Sequence, residues 1–105
     1  MTKASVLNRK LVHRHLDAGI PASRVPLSGA AGGEYAGDLH ILDFTVEVKA
    51  RANGEGFKQL EVWLGDHDML FLRRDCQRPL VLLPWQMYLK LMHAYQRTTG
   101  DAQSL

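Results

Sequence analysis

The chain contains little of several features that would assign a protein to a class directly. Its 105 residues include one cysteine, Cys76, so an internal disulfide is excluded and a reducing, cytoplasmic setting is expected. No apolar run approaches the roughly 20 residues that cross a bilayer, and the N-terminus lacks the apolar segment of a secretory signal. We therefore expect no membrane partner and a single domain over residues 1–105, with a frayed tail from about residue 98.

An excess of charge of one sign is also missing, because the formal net charge is only +2. The distribution of charge is nevertheless uneven. Residues 1–33 contain a single acid, Asp17, against five basic side chains, which are Lys3, Arg9, Lys10, Arg14 and Arg24. Such a segment is typical either of a solvated helix face or of a surface that contacts nucleic acid.

Hydrophobic periodicity divides the chain into eight elements. Helices are predicted over residues 4–18, over 57–64 and from Pro84 onward, where apolar residues recur at helical spacing. Strands are predicted over residues 23–27, 38–42, 44–50, 69–73 and 79–83, and a glycine-rich loop is predicted over residues 28–37. The order α-β-β-β-α-β-β-α predicts an α/β fold in which helices flank one mixed central sheet.

The stretch GDLHILDFTVEVKA, residues 37–50, carries charged residues on a predicted hairpin. Glu47 and Lys49 project to one face because side chains alternate along a strand. If Leu42 and Asp43 form the turn, Asp38 lies opposite Glu47, with Cβ atoms roughly 4.5–5.5 Å apart. Two carboxylates this close need a cation between them, either Lys49 or a divalent metal such as Mg²⁺ or Mn²⁺. The alternative to a binding site is an ordinary surface salt bridge, in which Asp38 or Glu47 pairs with Lys49.

Gly37-Asp38, followed after eight residues by Glu47-Val48-Lys49, resembles the motif of the PD-(D/E)xK, or restriction-endonuclease-like, nuclease superfamily. Glycine stands here where that family has proline. The layout around the motif is similar to that of Holliday junction resolvases and small phage or prophage nucleases. The resemblance implies a restriction-endonuclease-like core and an Mg²⁺- or Mn²⁺-dependent DNA endonuclease that acts on branched DNA.

The resemblance also implies roles for single residues. The implied catalytic residues are Asp38, Glu47, Lys49 and Gln59. The implied metal ligands are Asp38, Glu47 and the backbone carbonyl of Val48. The first helix lacks the glutamate ligand of archaeal-type resolvases, and Glu34 is either its substitute or a solvated loop residue. Candidate contacts to DNA are Lys3, Lys10, Arg14, Arg24, Ser28 and Arg51.

Assembly is the last expectation from the sequence. Resolving a junction takes two cuts, whereas each chain offers one site, so a two-fold homodimer is expected. Its candidate surface is the apolar run PLVLLPWQMYLKLM, residues 79–92. Two other functions stay open, namely a non-catalytic DNA-binding module that keeps the nuclease fold, and an accessory subunit.

Overall fold

The structure, a computed structural model, describes residues 3–25 and 38–103, with side chains over 6–25 and 38–99. Three helices and five strands occur in the predicted order, α-β-β-β-α-β-β-α. The chain forms two compact units, Met1–Ala50 and Arg51–Leu105, which we call the first and second unit. Among the described residues, no helix is both long enough and apolar enough to cross a bilayer.

The first unit opens with helix α1, Lys3–Asp17. Its C-terminal end is a Schellman motif, in which the N–H of Ile20 donates to the carbonyl of His15 at 2.8 Å and that of Gly19 to Leu16 at 3.0 Å. Gly19 has a φ of 80°, in the left-handed region that glycine adopts without steric cost. Ile20 is fully buried, so this cap directs the chain straight into the core.

A three-stranded antiparallel sheet follows, in the order β1-β2-β3. Its strands are β1 (Ala22–Arg24), β2 (Leu39–Ile41) and β3 (Phe44–Val46). Leu39 pairs with Val46 and Ile41 pairs with Phe44, so the predicted hairpin register is confirmed. The turn residue Leu42 has a φ of 53°, which is unusual for a residue other than glycine. Its N–H donates to the carbonyl of Pro21 at 3.0 Å, which ties the hairpin tip to the residue before β1.

The core of the first unit contains one face of this sheet. Leu39 and Ile41 are each 1% exposed and lie on the same face of β2, because His40 between them points the other way. Helix α1 contacts both β1 and β2. The buried His15 of α1 donates from Nδ1 to the carbonyl of Leu11 at 2.6 Å, so its ring is buried with a partner. Each fully buried aliphatic side chain contributes roughly 1.5–3 kcal/mol.

The second unit contains two helices and a hairpin. The elements are α2 (Phe57–Leu64), β4 (Leu70–Leu72), β5 (Leu80–Leu82) and α3 (Trp85–Gln103). Strands β4 and β5 pair antiparallel, with Leu72 opposite Leu80. Pro84 directly precedes α3, and its carbonyl accepts the N–H of Tyr88 at 3.0 Å, as expected for proline at a helix start. The tail predicted to fray from about residue 98 begins inside this helix.

The described strands do not form the predicted mixed central sheet. They form a three-stranded and a two-stranded sheet, and both are antiparallel. The strands are also shorter than predicted, at three residues each. Short apolar runs predict that strands exist, but their periodicity carries no information about which distant strands pair. The structure is thus a mixed α/β arrangement of three helices and two small antiparallel sheets.

Apolar side chains of the second unit are largely exposed. Phe71 and Val81 form a cross-strand pair and are 69% and 56% exposed. Val62 on α2 is 72% exposed. Of the side chains described between residues 51 and 99, none is buried. Apolar surface of this kind is typical of a face that contacts another surface.

Candidate active site

Asp38 lies directly before β2 and is held by both neighbouring strands. Its N–H donates to the carbonyl of Val46 at 2.7 Å, and its own carbonyl accepts the N–H of Val25 at 3.0 Å. The bond from Val25 extends the pairing of β1 with β2 by one residue, whereas the bond to Val46 departs from the register of β2 and β3, in which Val46 pairs with Leu39. The sheet therefore fixes the main chain from which the half-buried Asp38 side chain projects.

The carboxylate of Asp38 contacts the segment that follows β3. Its Oδ2 accepts a 2.8 Å hydrogen bond from the N–H of Val48. Strand β3 ends at Val46, so at Val48 the carboxylate of Asp38 accepts the main-chain N–H in place of a strand carbonyl. A hydrogen bond to a charged group contributes about 1.5–3 kcal/mol, so Asp38 stabilises the path of the chain through Glu47-Val48-Lys49.

Glu47 and Lys49 flank Val48 and form an ion pair. The distance between Lys49 Nζ and Glu47 Oε1 is 3.4 Å, and the two side chains are 72% and 56% exposed, respectively. An ion pair this exposed contributes at most about 1 kcal/mol to stability. Both charged groups therefore remain accessible to a ligand, and the fold depends little on their attraction.

The two acids lie at the same end of the hairpin. The pairing of β2 with β3 ends at Leu39–Val46, so Asp38 lies one residue before β2 and Glu47 lies one residue after β3. Asp38 donates its N–H to the carbonyl of Val46 and accepts the N–H of Val48 on its carboxylate, and these two partners flank Glu47 in the sequence. The direct opposition of the two carboxylates expected from the sequence therefore stays a prediction.

This segment offers carboxylate and carbonyl oxygens, the ligand atoms that hard divalent cations prefer. A carboxylate offers about four lone-pair sites, so the bond from Val48 to Asp38 Oδ2 leaves capacity for a metal. Mg²⁺ is commonly bound through one or two carboxylates and several waters, a set that Asp38, Glu47 and the Val48 carbonyl can supply. Across the described parts of the chain, no three His, Cys, Asp or Glu side chains are grouped to hold a metal.

The other residues predicted for the site are dispersed along the chain. Gln59 on α2 and Arg51 are exposed and belong to the second unit. In the first unit, Lys10 and Arg14 are exposed on α1, and Arg24 is half-buried on β1. Lys3 is the first residue of α1. Ser28 and Glu34 lie outside the described residues.

Two features near the site were not predicted from the sequence. The first is the hydrogen bond that Asp38 accepts from Val48, which involves a main-chain donor that no residue type reveals. The second is His40, a half-buried residue of β2 that lies two positions after Asp38 in the chain.

In this arrangement Asp38 lies directly before β2, and Glu47 and Lys49 lie just beyond the end of β3. Such a group can bind a cation and place an ammonium group near a phosphate. No family model, curated protein or solved structure matches the chain.

Proposed function

We propose that the protein is a metal-dependent DNA endonuclease of the PD-(D/E)xK type, which hydrolyses phosphodiester bonds. One observation carries this proposal: Asp38 accepts a hydrogen bond from the middle residue of Glu47-Val48-Lys49. That bond joins, in space, the two parts of the motif that are separated in sequence. The order of the elements further supports a restriction-endonuclease-like core as the fold within this proposal.

The proposed chemistry divides among four residues. Asp38, Glu47 and the Val48 carbonyl hold Mg²⁺ or Mn²⁺, and the bound ion supplies Lewis-acid polarisation of the phosphate. The ammonium group of Lys49 orients the attacking water and opposes the negative charge that develops on the phosphate. The resemblance to the superfamily adds Gln59 as a residue that orients a water or the lysine.

The proposed substrate is DNA with a branched or otherwise irregular structure. Lys10 and Arg14 are exposed on α1 and can contact phosphates, which positions a nucleic acid without reading its sequence. Further candidate contacts are Lys3, Arg24, Ser28 and Arg51. Cleavage of both strands of a junction requires two sites, so the proposal includes a homodimer.

A non-catalytic DNA-binding module is the second candidate. The Glu47–Lys49 ion pair favours this second candidate, because each of the two charged groups already has the other as its partner without a metal ion. In that case the hairpin end would be a solvated surface, and the basic residues of α1 would supply the affinity for DNA.

The two candidates are separated by incubating the protein with four-way junction, flap, nicked and linear DNAs in Mg²⁺. We expect cleavage of at least one branched DNA, and loss of that cleavage in Glu47→Gln. Glu61→Gln, which removes an exposed carboxylate on α2, is the matched control and should cut like the parent. Salt-dependent binding of every DNA without any cleavage would identify the binding module.

A further inference from the structure

The hairpin of the second unit carries a concentration of arginines at its tip. Residues 73–78, which we call the arginine loop, join β4 to β5 and contain Arg73, Arg74 and Arg78 against one acid, Asp75. We propose that the arginine loop binds the phosphate backbone of DNA, in addition to the basic residues of α1. The choice of DNA as the polyanion rests on the proposed function.

The arginines line a concave surface. This concave surface is open to solvent and has a volume of about 800 Å³. Its lining residues are Leu72, Arg73, Arg74, Gln77, Arg78 and Leu80. Leu72 and Leu80 are cross-strand partners, so the ends of both strands form its apolar part. Guanidinium groups beside an apolar surface are a suitable site for a phosphate, because the planar fork donates two parallel hydrogen bonds to phosphate oxygens.

Hydrogen bonds within the loop hold its backbone in place. The N–H of Gln77 donates to the carbonyl of Arg74 at 3.0 Å, and Nε of Arg73 donates to the carbonyl of Gln77 at 3.2 Å. Cys76 between them has a φ of 64°, so the chain reverses within a tight turn. A loop that is already ordered loses less conformational entropy when it binds a ligand.

The positive charge of the loop is not neutralised by its own acid. Asp75 is exposed, and within the described part of the chain it forms no ion pair with Arg74 or Arg78. The side chains of Arg74 and Arg78 are themselves exposed, and their guanidinium groups make no hydrogen bond to the described residues. Their guanidinium groups therefore keep their donors for a ligand, whereas Arg73 uses one of its donors to hold the loop.

The first test measures binding of a fluorescent four-way junction in Ca²⁺ over a range of salt concentrations. We expect Arg74→Gln/Arg78→Gln to bind at least roughly tenfold more weakly at about 0.1 M salt, and its salt slope to flatten by about 1.8, or about 0.9 per lost phosphate contact. Lys58→Gln/Arg97→Gln removes two exposed charges, one from α2 and one from α3, and should retain the parent's slope. Arg74→Lys/Arg78→Lys, which keeps the charge, should retain most of the slope.

The second test uses the unsubstituted chain. Cys76 is exposed and is the only cysteine of the sequence, so a maleimide photocrosslinker attached there samples the arginine loop. We expect crosslinking to bound DNA, and much less from Cys76→Ser/Ala94→Cys, which moves the label to an exposed position on α3.

The outcomes separate this inference from the proposed function. An unchanged salt slope in Arg74→Gln/Arg78→Gln, no crosslink from Cys76, or no DNA binding by the parent would overturn the inference. If the parent nevertheless cleaves DNA, the proposed nuclease function stands without the arginine loop. Loop-dependent binding with no cleavage in Mg²⁺ would instead uphold the inference and reject the nuclease.

Discussion

The N–H of Val48 donates a 2.8 Å hydrogen bond to Oδ2 of Asp38, ten residues earlier in the chain. This bond gives Asp38 a structural role in addition to its proposed role as a metal ligand. The two roles can be separated, because asparagine still offers an oxygen acceptor to Val48 but carries no negative charge for a metal.

We therefore expect Asp38→Asn and Asp38→Ala to lose cleavage alike and to differ in stability. Asp38→Ala leaves the Val48 N–H without its acceptor, which should lower the free energy of unfolding by roughly 1–3 kcal/mol. Asp38→Asn should lose less than Asp38→Ala. Urea unfolding and junction cleavage in Mg²⁺ measure the two effects, and cleavage by Asp38→Asn at the parent's rate would exclude the metal role.

Replacing Lys49 should reduce cleavage strongly and leave stability almost unchanged. Its side chain is 72% exposed and forms an ion pair with the exposed Glu47, so Lys49→Met should change the free energy of unfolding by less than about 0.5 kcal/mol. Cleavage should fall roughly 100-fold or more, as when a group that stabilises transition-state charge is removed. Lys58→Met, which removes an exposed lysine of α2, is the control. Equal cleavage rates for both variants would show that Lys49 is not catalytic.

The identity of the cation should separate binding from cleavage. Mg²⁺ or Mn²⁺ should support turnover, whereas Ca²⁺ should support DNA binding alone, because its longer and looser oxygen coordination activates water less well. Gel-shift and cleavage assays on the same junction measure both quantities. Cleavage that continues in excess EDTA would rule out a metal-dependent reaction.

The apolar run at residues 79–92 should form the homodimer surface. Val81 within it is 56% exposed, and light scattering should give a mass near twice 11.8 kDa. A charge placed in an apolar interface is costly, so Val81→Lys should shift the mass to that of one chain. Val62→Lys, at a position 72% exposed on α2 and outside the run, should remain dimeric.

A functional assay checks the same prediction. Dimers that combine one intact and one Lys49→Ala chain should nick a junction once, because only one of the two sites is complete. A monomeric protein that cuts both strands of a junction would contradict this arrangement and leave a simpler nicking or flap-cutting nuclease.

Tyr88 on α3 should make stability sensitive to alkaline pH. Burial raises the pKa of the Tyr88 hydroxyl above its usual 10.0. The folded state then holds this proton more tightly than the unfolded state, so its contribution is complete below about pH 10 and is lost as pH rises through the folded-state pKa. Tyr88→Phe should show a smaller loss of stability between about pH 9 and pH 11 in urea titrations. An unchanged pH dependence would rule out this role for Tyr88.

Local features of the fold followed from the sequence. Gly19 and Pro21 predicted the end of α1, where the Schellman motif is found, and a two-residue turn at Leu42–Asp43 predicted the observed register of β2 and β3. The grouping into two separate sheets did not follow, because pairing between distant strands depends on the whole fold and not on local periodicity.

The candidate site was only partly predictable for a similar reason. Strand alternation placed Asp38, Glu47 and Lys49 at one end of a hairpin, because that inference needs only a turn and a period of two. The acceptor role of Asp38 depends on the path of the chain beyond β3, where Val48 turns its N–H toward the carboxylate. The arginine loop could not be predicted as a site either, since the sequence does not reveal that its arginines line one concave surface.

The two-residue turn at Leu42–Asp43 limits how the length of this hairpin can vary. Inserting one residue within β3 would shift its pairing by one position and exchange the sides on which its residues project. Val46, which pairs with the buried Leu39, would then leave the core-facing side. A residue added at the tip lengthens the turn and can leave the pairing unchanged, so this hairpin should tolerate an insertion in the turn better than one in β3.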